Sequence, residues 1–253
     1  MIRSYDDRRD FVVLPTADAA ISFAKDHFFH TAARSIQQKG RFAVALSGGS
    51  TPKALYQLIG KCWQEAKIDW NLVYLFWSDE RAVPPTHLDS NYHMAMTNGL
   101  EKLPIPKGQI FRMKAESDLE KNAREYEETI DHFLGKSLFD LVMLGIGEDG
   151  HTASLFPNTA ALEVTDRLVV ANHILQKKTW RMTLTFPCIQ QSSHTVIYAL
   201  GSSKKEIIPQ VLKAPILSPF PASRIGTPEH KALFVFDQSA ICDSFQSRLS
   251  AKF

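Results

Sequence analysis

The alternation of strand-like and helix-like patterns is the feature that most restricts the fold of this 253-residue chain. Short apolar runs typical of buried strands recur along the sequence, and segments with apolar residues at helical spacing separate them. Such alternation predicts an α/β fold with a mostly parallel sheet and helices on both faces. Since no low-complexity linker or internal repeat is visible, we expect residues 1–253 to form a single α/β domain.

The predicted strands are apolar runs bounded by turns or polar segments. They span residues 42–46, 72–77, 139–144, 167–171, 181–186, 194–200 and 232–236. The predicted helices span residues 16–39, 91–100, 119–134 and 202–212, with one more running from Pro52 through Ile59. The run 181–186 alternates in polarity and is expected to cover a sheet edge, and the proline-rich segment 215–228 is expected to be a surface loop.

Charge and cysteine content narrow the class of protein. Lysine and arginine number 29 against 27 acidic residues, and no basic run stands out, so neither nucleic acid nor an anionic membrane is an expected partner. The N-terminus is charged and unlike a signal peptide, and no apolar run is long enough to span a membrane. Cys62, Cys188 and Cys242 are far apart, which fits a reducing compartment. We therefore expect a cytoplasmic protein.

The segment 47–52, SGGSTP, lies between a predicted strand and a predicted helix. Gly48 and Gly49 would let the backbone approach a ligand closely, and the helix N-terminus would offer free N–H groups to an anion. Ser50 and Thr51 add hydroxyl donors. The segment predicts a sugar-phosphate cradle; alternatively, it is an ordinary turn with a Ser/Thr cap.

The segment 78–81, SDER, also follows a predicted strand. Consecutive charged residues at the carboxyl end of a strand are costly unless they face a cleft. Arg81 could bind phosphate with its planar guanidinium, while Asp79 and Glu80 could orient that arginine or act as acid or base. Alternatively, this segment is a solvated loop.

His151 follows the third clear strand and its glycine-rich turn, residues 145–150, at a point where we expect a helix to begin. The carboxyl end of a strand is the usual ligand crevice of α/β sheets. An imidazole there suits a general base, with Asp149 a candidate to fix its tautomer. Alternatively, Asp149 caps a helix and His151 is an incidental surface residue.

Several other chemistries are excluded. The turn at 145–150 matches G-x-G-x-x-G, but it lies mid-chain and places two acidic residues where a pyrophosphate would bind, so we reject a dinucleotide site. No G-x-S-x-G elbow is present. His27 and His30 have no obvious third ligand, and we predict no metal and no cofactor.

Two further segments contribute basic residues. Arg181 begins the segment RMTLT, and Lys204 lies in GSSKK, which follows a strand and is predicted to begin a helix. A lysine at a helix N-terminus is unfavourable for the helix dipole, and a bound phosphate would remove that penalty. Taken singly, each segment is more often structural.

Together and in this order, the motifs resemble those of the 6-phosphogluconolactonase family. The matching segments are SGGSTP at Ser47, SDER at Ser78, SNY at Ser90, LGIGEDGHTASLFP at Leu144, RxTxT at Arg181 and GSSK at Gly201. They cover most of residues 40–236. DGHTASLFP is the most specific segment, and SGGSTP alone is not specific. One departure is Asn158, where the family often has glycine, and it affects only a turn.

The resemblance implies a Rossmann-like sugar-phosphate isomerase/lactonase fold, shared with glucosamine-6-phosphate deaminases. It implies hydrolysis of 6-phospho-D-glucono-1,5-lactone to 6-phosphogluconate in the oxidative pentose phosphate pathway, without metal or organic cofactor. By position, His151 would activate water, and Arg81, Arg181 and Lys204 would be candidates to bind phosphate. The predicted catalytic residues are thus His151 and Asp149. The predicted substrate-binding residues are Gly48, Gly49, Ser50, Asp79, Arg81, Arg181 and Lys204.

Two alternative functions stay open. A glucosamine-6-phosphate deaminase or isomerase shares GIGxDGH, but a different segment follows it there, and residues 152–157 favour the lactonase. A non-catalytic sugar-phosphate sensor would usually carry a DNA-binding helical module, and no basic helix-turn-helix is visible. We expect a monomer whose partner is a small-molecule phosphosugar lactone.

Overall fold

The computed structural model describes residues 1–135, 138–216 and 218–242. These residues form ten strands and six α-helices, joined by turns and short 3-10 segments. The strands are β1 (Arg3–Ser4), β2 (Arg9–Leu14), β3 (Phe42–Leu46), β4 (Val73–Trp77), β5 (Asp79–Arg81), β6 (Leu141–Gly145), β7 (Val169–Ile174), β8 (Thr179–Leu184), β9 (Thr195–Ala199) and β10 (Ala232–Asp237). The helices are α1 (Ala17–Lys39), α2 (Ser50–Cys62), α3 (Asn91–Thr97), α4 (Leu119–Leu134), α5 (Phe186–Gln190) and α6 (Ile207–Lys213).

A seven-stranded sheet in the described residues has the order β1-β2-β10-β9-β6-β3-β4. Only β1 runs antiparallel to its neighbour there, and the remaining pairs are parallel. Every residue of β3 is buried, as expected of a parallel strand covered on both faces. The predicted α/β class is therefore confirmed.

Helices cover both faces of this sheet, and two ring contacts show it. Phe42 of β3 packs against Phe28 of α1, with ring centroids 5.3 Å apart. Phe76 of β4 pairs in register with Ala45 and packs against Tyr126 of α4, with centroids 6.0 Å apart. Since Phe42 and Ala45 are three residues apart on one strand, they point to opposite faces. Helices α1 and α4 therefore lie on opposite sides.

A second sheet has three antiparallel strands in the order β5-β8-β7. The segment 181–186 was predicted to cover a sheet edge. It belongs instead to this separate sheet, where β8 pairs with both β5 and β7. The polar segment 79–81 becomes its short strand β5, which the sequence did not predict because charged residues disfavour strands locally.

Strand β2 was not predicted either. Its six residues pair in parallel with β10, although the segment before it is rich in charge. Arg9 is buried because its guanidinium donates to Asp6 and to the carbonyl of Leu212, at 2.5 and 2.8 Å. These partners, of which Leu212 is 203 residues away in the sequence, make a charged residue tolerable inside a sheet.

The segment 215–228, of which residue 217 lies outside the described part, was predicted to be a surface loop and is partly buried. Ala222, Ser223 and Ile225 are fully buried, and Phe220 packs against Gly150. The segment thus forms part of the support beneath the glycine-rich turn. Among the described residues, no helix has both the length and the apolar character needed to cross a membrane.

Candidate active site

A cleft of about 260 Å³ lies at the carboxyl ends of β3, β4, β6 and β9. All of the predicted substrate-binding residues line it, and His151 does too. They are Gly48, Gly49, Ser50, Asp79, Arg81, Arg181 and Lys204. The parallel strand order brings these loops together because the carboxyl ends of parallel strands share one edge.

His151 is held by Asp149. The imidazole Nδ1 lies 2.5 Å from Oδ1 of Asp149, and the backbone N–H of His151 donates to the same oxygen at 3.1 Å. A carboxylate at Nδ1 places the imidazole proton there and leaves Nε2 with a free electron pair. Burial raises the pKa of Asp149, but its hydrogen bonds and electrostatic interaction with His151 outweigh burial and lower that pKa. Asp149 itself does not line the cleft and acts on it only through His151.

Two glycines in the turn before His151 are required by close packing. A Cβ on Gly147 would lie 2.0 Å from Nδ1 of His151, and a Cβ on Gly150 would lie 2.7 Å from the ring of Phe220. Gly150 also has a φ of 77°, in the left-handed region. The glycines therefore make room for an imidazole and a phenyl ring, which is a different use from binding a pyrophosphate.

The expected helix after His151 is absent from the described residues. Residues 151–156 form a tight turn closed by an isolated bridge between Thr152 and Leu155. Ala153 adopts a φ of 48°, which α-helices do not allow. The turn buries Ser154, whose hydroxyl donates to Asp79 at 2.6 Å.

Asp79 organises one wall of the cleft. Besides the hydroxyl of Ser154, it accepts a hydrogen bond from Nδ2 of Asn91 at 3.1 Å. Nη1 of Arg181 lies 3.9 Å from its Oδ2. Asp79 thus orients Arg181 rather than Arg81, the arginine that the sequence suggested.

Glu80 caps a helix and does not orient an arginine side chain. It accepts from the backbone N–H groups of Arg81, Asn91 and Tyr92 and from the hydroxyl of Ser90. Burial raises the pKa of Glu80, and these four donors offset part of that effect. The carboxylate thereby fixes the start of α3 against β5.

Arg81 and Arg181 lie directly opposite each other on β5 and β8. Two like charges at paired positions destabilise an antiparallel pair. Burial lowers the pKa of Arg181; Asp79 raises it in part, and the charge of Arg81 lowers it further. Nε of each arginine is buried and has no hydrogen-bond partner within the described residues. A doubly charged anion such as phosphate in the cleft would offset the repulsion between the two guanidinium groups.

Lys204 lies in the 3-10 segment Ser202–Lys204, and α6 begins only at Ile207. The predicted helix therefore starts later than expected, so the dipole argument for Lys204 does not hold as made. Gly201 has a φ of 89°, which turns the chain after β9 and leaves Lys204 on the lining of the cleft.

Asn91 and Tyr198 are among the lining residues that were not predicted as site residues. Asn91 occurs in the SNY motif, and a Cβ on Gly48 would lie 1.8 Å from its Oδ1; this close approach could not be seen from the sequence. Tyr198 lines the cleft, and its hydroxyl is buried with no partner in the described part of the chain. Burial raises the pKa of Tyr198. Its apolar strand neighbours made it indistinguishable from a core residue.

Comparison with known proteins identifies the family of this chain. The family described as glucosamine-6-phosphate isomerases/6-phosphogluconolactonase matches residues 15–235. A 6-phosphogluconolactonase of Chlamydia muridarum is 43% identical over 225 residues, which cover 89% of this chain and 86% of that protein. The 6-phosphogluconolactonase of Chlamydia pneumoniae is 42% identical over 210 residues, or 82% and 79% of the two chains.

A solved structure shares the fold. The crystal structure of 6-phosphogluconolactonase from Thermotoga maritima matches with a TM-score of 0.77 and 28% identity, covering 89% of this chain and 98% of that one. Both the sequence and the fold therefore agree over most of the chain. This chain belongs to the family of glucosamine-6-phosphate isomerases and 6-phosphogluconolactonases.

Proposed function

We propose that the protein hydrolyses 6-phospho-D-glucono-1,5-lactone to 6-phosphogluconate, in the oxidative pentose phosphate pathway. The observation that supports this most is the shared cleft of His151 and its two arginines. An imidazole held at Nδ1 by Asp149 has the form of a general base, and the arginines suit a phosphate. The lactone substrate carries an electrophilic carbonyl at one end and a phosphate at the other.

In the proposed reaction, Nε2 of His151 takes a proton from water as the water oxygen bonds to the lactone carbonyl carbon. The resulting tetrahedral intermediate collapses when the bond from that carbon to the ring oxygen breaks. The proton on His151 passes to the departing ring oxygen, which becomes a hydroxyl group. Water is the only co-reactant, and the product is the open-chain acid.

The negative charge that develops on the carbonyl oxygen needs hydrogen-bond donors. The N–H groups of Gly48 and Gly49, and those in the first turn of α2, are the proposed donors, since first-turn N–H groups have no acceptor within their helix. Gly147 also lines the cleft, but its N–H donates to the carbonyl of His151 at 2.9 Å. We therefore favour the glycine loop of residues 47–49.

Phosphate binding is assigned to Arg81, Arg181 and Lys204. Binding of the phosphate, remote from the carbonyl, would hold the lactone ring in place and lower the entropic part of the activation barrier for hydrolysis. The arginines can each donate two parallel hydrogen bonds, and Lys204 supplies a point charge. All three residues line the cleft within one chain, which supports a monomer as the working form.

We place this activity in the cytoplasm. The sequence has only three cysteines, Cys62, Cys188 and Cys242, which are far apart and show no Cys-x-x-Cys spacing, and this fits a reducing compartment.

The deciding experiment is an assay on freshly prepared 6-phosphogluconolactone, with acid release or coupled NADPH formation as the readout and spontaneous hydrolysis subtracted. Glucosamine 6-phosphate is tested in parallel for ammonia release. Turnover of the lactone above background is expected. Ammonia release without lactone turnover would favour the deaminase, and tight ligand binding without any turnover would favour a sensor.

Full activity is expected after exhaustive dialysis against EDTA. Within the described residues, no three His, Cys, Asp or Glu side chains are placed to hold a metal ion, and the mechanism uses none. Activity and metal content are measured on the same sample before and after dialysis. A stoichiometric metal whose removal abolishes turnover would show this mechanism to be wrong.

A further inference from the structure

One buried ring contacts two of the residues that line the cleft. Phe156 is 1% exposed, and the imidazole of His151 stacks on it with ring centroids 3.9 Å apart and an interplanar angle of 15°. The guanidinium carbon of Arg181 lies 5.6 Å from the centroid of the same ring. The candidate base and one candidate phosphate ligand therefore share a single aromatic support.

The stack supplies a constraint on His151 that its hydrogen bond does not. The contact between Nδ1 and Asp149 fixes the direction of one nitrogen, but a hydrogen bond tolerates changes in the tilt of the imidazole plane. A parallel ring at 3.9 Å limits this tilt, because tilting the imidazole would drive its edge into the face of Phe156. Nε2 is thereby held in one direction, which a general base requires.

Arg181 is constrained in a similar way. Its Nη1 lies 3.9 Å from Asp79 and 3.4 Å from the hydroxyl of Ser154, both long for hydrogen bonds. A cation over an aromatic face gains further attraction that does not depend on a donor geometry. The ring of Phe156 thus limits where the guanidinium can lie beside Arg81.

Phe156 is itself firmly held. Its carbonyl accepts from the hydroxyl of Thr159 at 2.8 Å, and Nδ2 of Asn172 donates to that hydroxyl oxygen at 3.0 Å. Asn172 also donates to the carbonyl of Ser154 at 2.9 Å. Since Asn172 lies on β7, the small sheet anchors the turn that carries the ring.

We propose that Phe156 is a positioning residue that orients the imidazole of His151 and the guanidinium of Arg181 together. This inference rests on the proposed function, in which His151 is the base. The base follows a strand of the main sheet, and the three-stranded sheet aligns it through Asn172 and Phe156.

The test compares Phe156→Leu with Phe28→Leu. Phe28 is equally buried but lies in α1, so the two substitutions remove the same ring from the core. With unphosphorylated gluconolactone, Phe156→Leu is expected to lower kcat about tenfold, since only the base is misaligned. With the phosphorylated lactone, kcat/KM is expected to fall further, about thirtyfold, since Arg181 is released too. Phe28→Leu is expected to keep kcat within twofold on both substrates.

A spectroscopic readout separates positioning from a loss of stability. The Cε1 proton of His151, identified by its absence in His151→Ala, is expected to be shifted upfield by the ring current of Phe156. The shift is expected to vanish in Phe156→Leu. If Phe156→Leu does not fold, Phe156→Met is used instead, because methionine is flexible and has no ring. The upfield shift in the wild type is measured in either case.

The outcomes distinguish this inference from the proposed function. If His151→Ala keeps its activity, the assignment of the base fails. If His151→Ala is inactive but folded Phe156→Leu has wild-type kcat on both substrates, or if wild-type His151 shows no upfield shift, the positioning role fails alone. If Phe156→Leu lowers kcat/KM by the same factor on the two substrates, the part of the inference that concerns Arg181 is refuted.

Discussion

The two sheets contribute to the cleft in opposite ways. The seven-stranded sheet supplies its predicted site residues, such as Gly48 and His151, from the segments that follow apolar strands such as β3 and β6. The three-stranded sheet supplies Asp79, Arg81 and Arg181 from within its strands. Ligand-binding residues that follow an apolar strand can therefore be recognised in the sequence. In β5 the ligand-binding residues are themselves charged, so the sequence does not predict a strand there. The difference divides the proposed chemistry, with the base from the main sheet and two phosphate ligands from the small one.

The largest effect is expected on the main-sheet side. His151→Ala is expected to lower kcat by roughly 10²–10⁴, the usual contribution of a general base, with little change in KM. Steady-state kinetics with the phosphorylated lactone measures this, and His132→Ala on α4, outside the cleft lining, is the control. A kcat within threefold of wild type for His151→Ala would mean that His151 is not the general base. The proposed division of roles between the two sheets would then be wrong.

The next effect concerns phosphate. Arg81→Ala and Lys204→Ala are each expected to lower kcat/KM for the phosphorylated lactone about thirtyfold, since a charge-assisted contact contributes about 2 kcal/mol. The kcat/KM for unphosphorylated gluconolactone should fall much less, because this substrate has no phosphate for these residues to bind. Both variants are assayed with both substrates. Equal losses would mean that these residues serve the reaction or the fold, and that phosphate binds elsewhere.

A smaller effect tests how the two sheets fit together at Gly48. Gly48→Ala would place a Cβ 1.8 Å from Oδ1 of Asn91 and push Asn91 away from Asp79. We expect a loss of about 1–3 kcal/mol in the free energy of unfolding, as for other overpacked sites, and reduced kcat/KM. Gly108→Ala is the control, since nothing lies within 4 Å of its added Cβ, and it should change stability by less than about 0.5 kcal/mol. Urea unfolding that gave equal values for the two variants would contradict the close fit.

The smallest effect is a thermal shift. Inorganic phosphate at about ten times its Kd should stabilise the wild type by about 1.4 kcal/mol, through mass action, which raises Tm by roughly 3–5 °C in a chain of this size. Arg81→Ala should show almost no shift. Scanning calorimetry with and without phosphate measures both, with matched sodium chloride as the ionic control. An undiminished shift in Arg81→Ala would place phosphate away from the small sheet.

Local signals predicted several elements well. The helix predicted at 119–134 coincides with α4, and α1 begins one residue after the predicted start because Thr16 is its N-cap. The hydroxyl of Thr16 accepts from the N–H of Ala19 at 3.1 Å, and Gly40 ends the helix with a φ of 71°. Such caps involve only neighbouring residues, so they can be recognised in the sequence.

Elements that depend on distant partners were missed. Strand β2 carries the buried Arg9, which is stable there only because Asp6 and the end of α6 accept its hydrogen bonds. The helix expected after His151 is replaced by a turn whose Ser154 donates to Asp79, 75 residues away in the sequence. Local propensity cannot include such contacts, which decide the backbone in both places.

The sequence by itself determined the parallel strands of the main sheet other than β2, because their apolar runs need burial on both faces. It also determined the chemical groups of the site, because Gly48, His151 and Lys204 follow such strands. Only the tertiary structure decided that Arg81 lies opposite Arg181 and that His151 stacks on Phe156. The first depends on the register of two strands about 100 residues apart, and the second on a turn folded against Asp79. Those arrangements follow from the packing of distant segments, which no local pattern encodes.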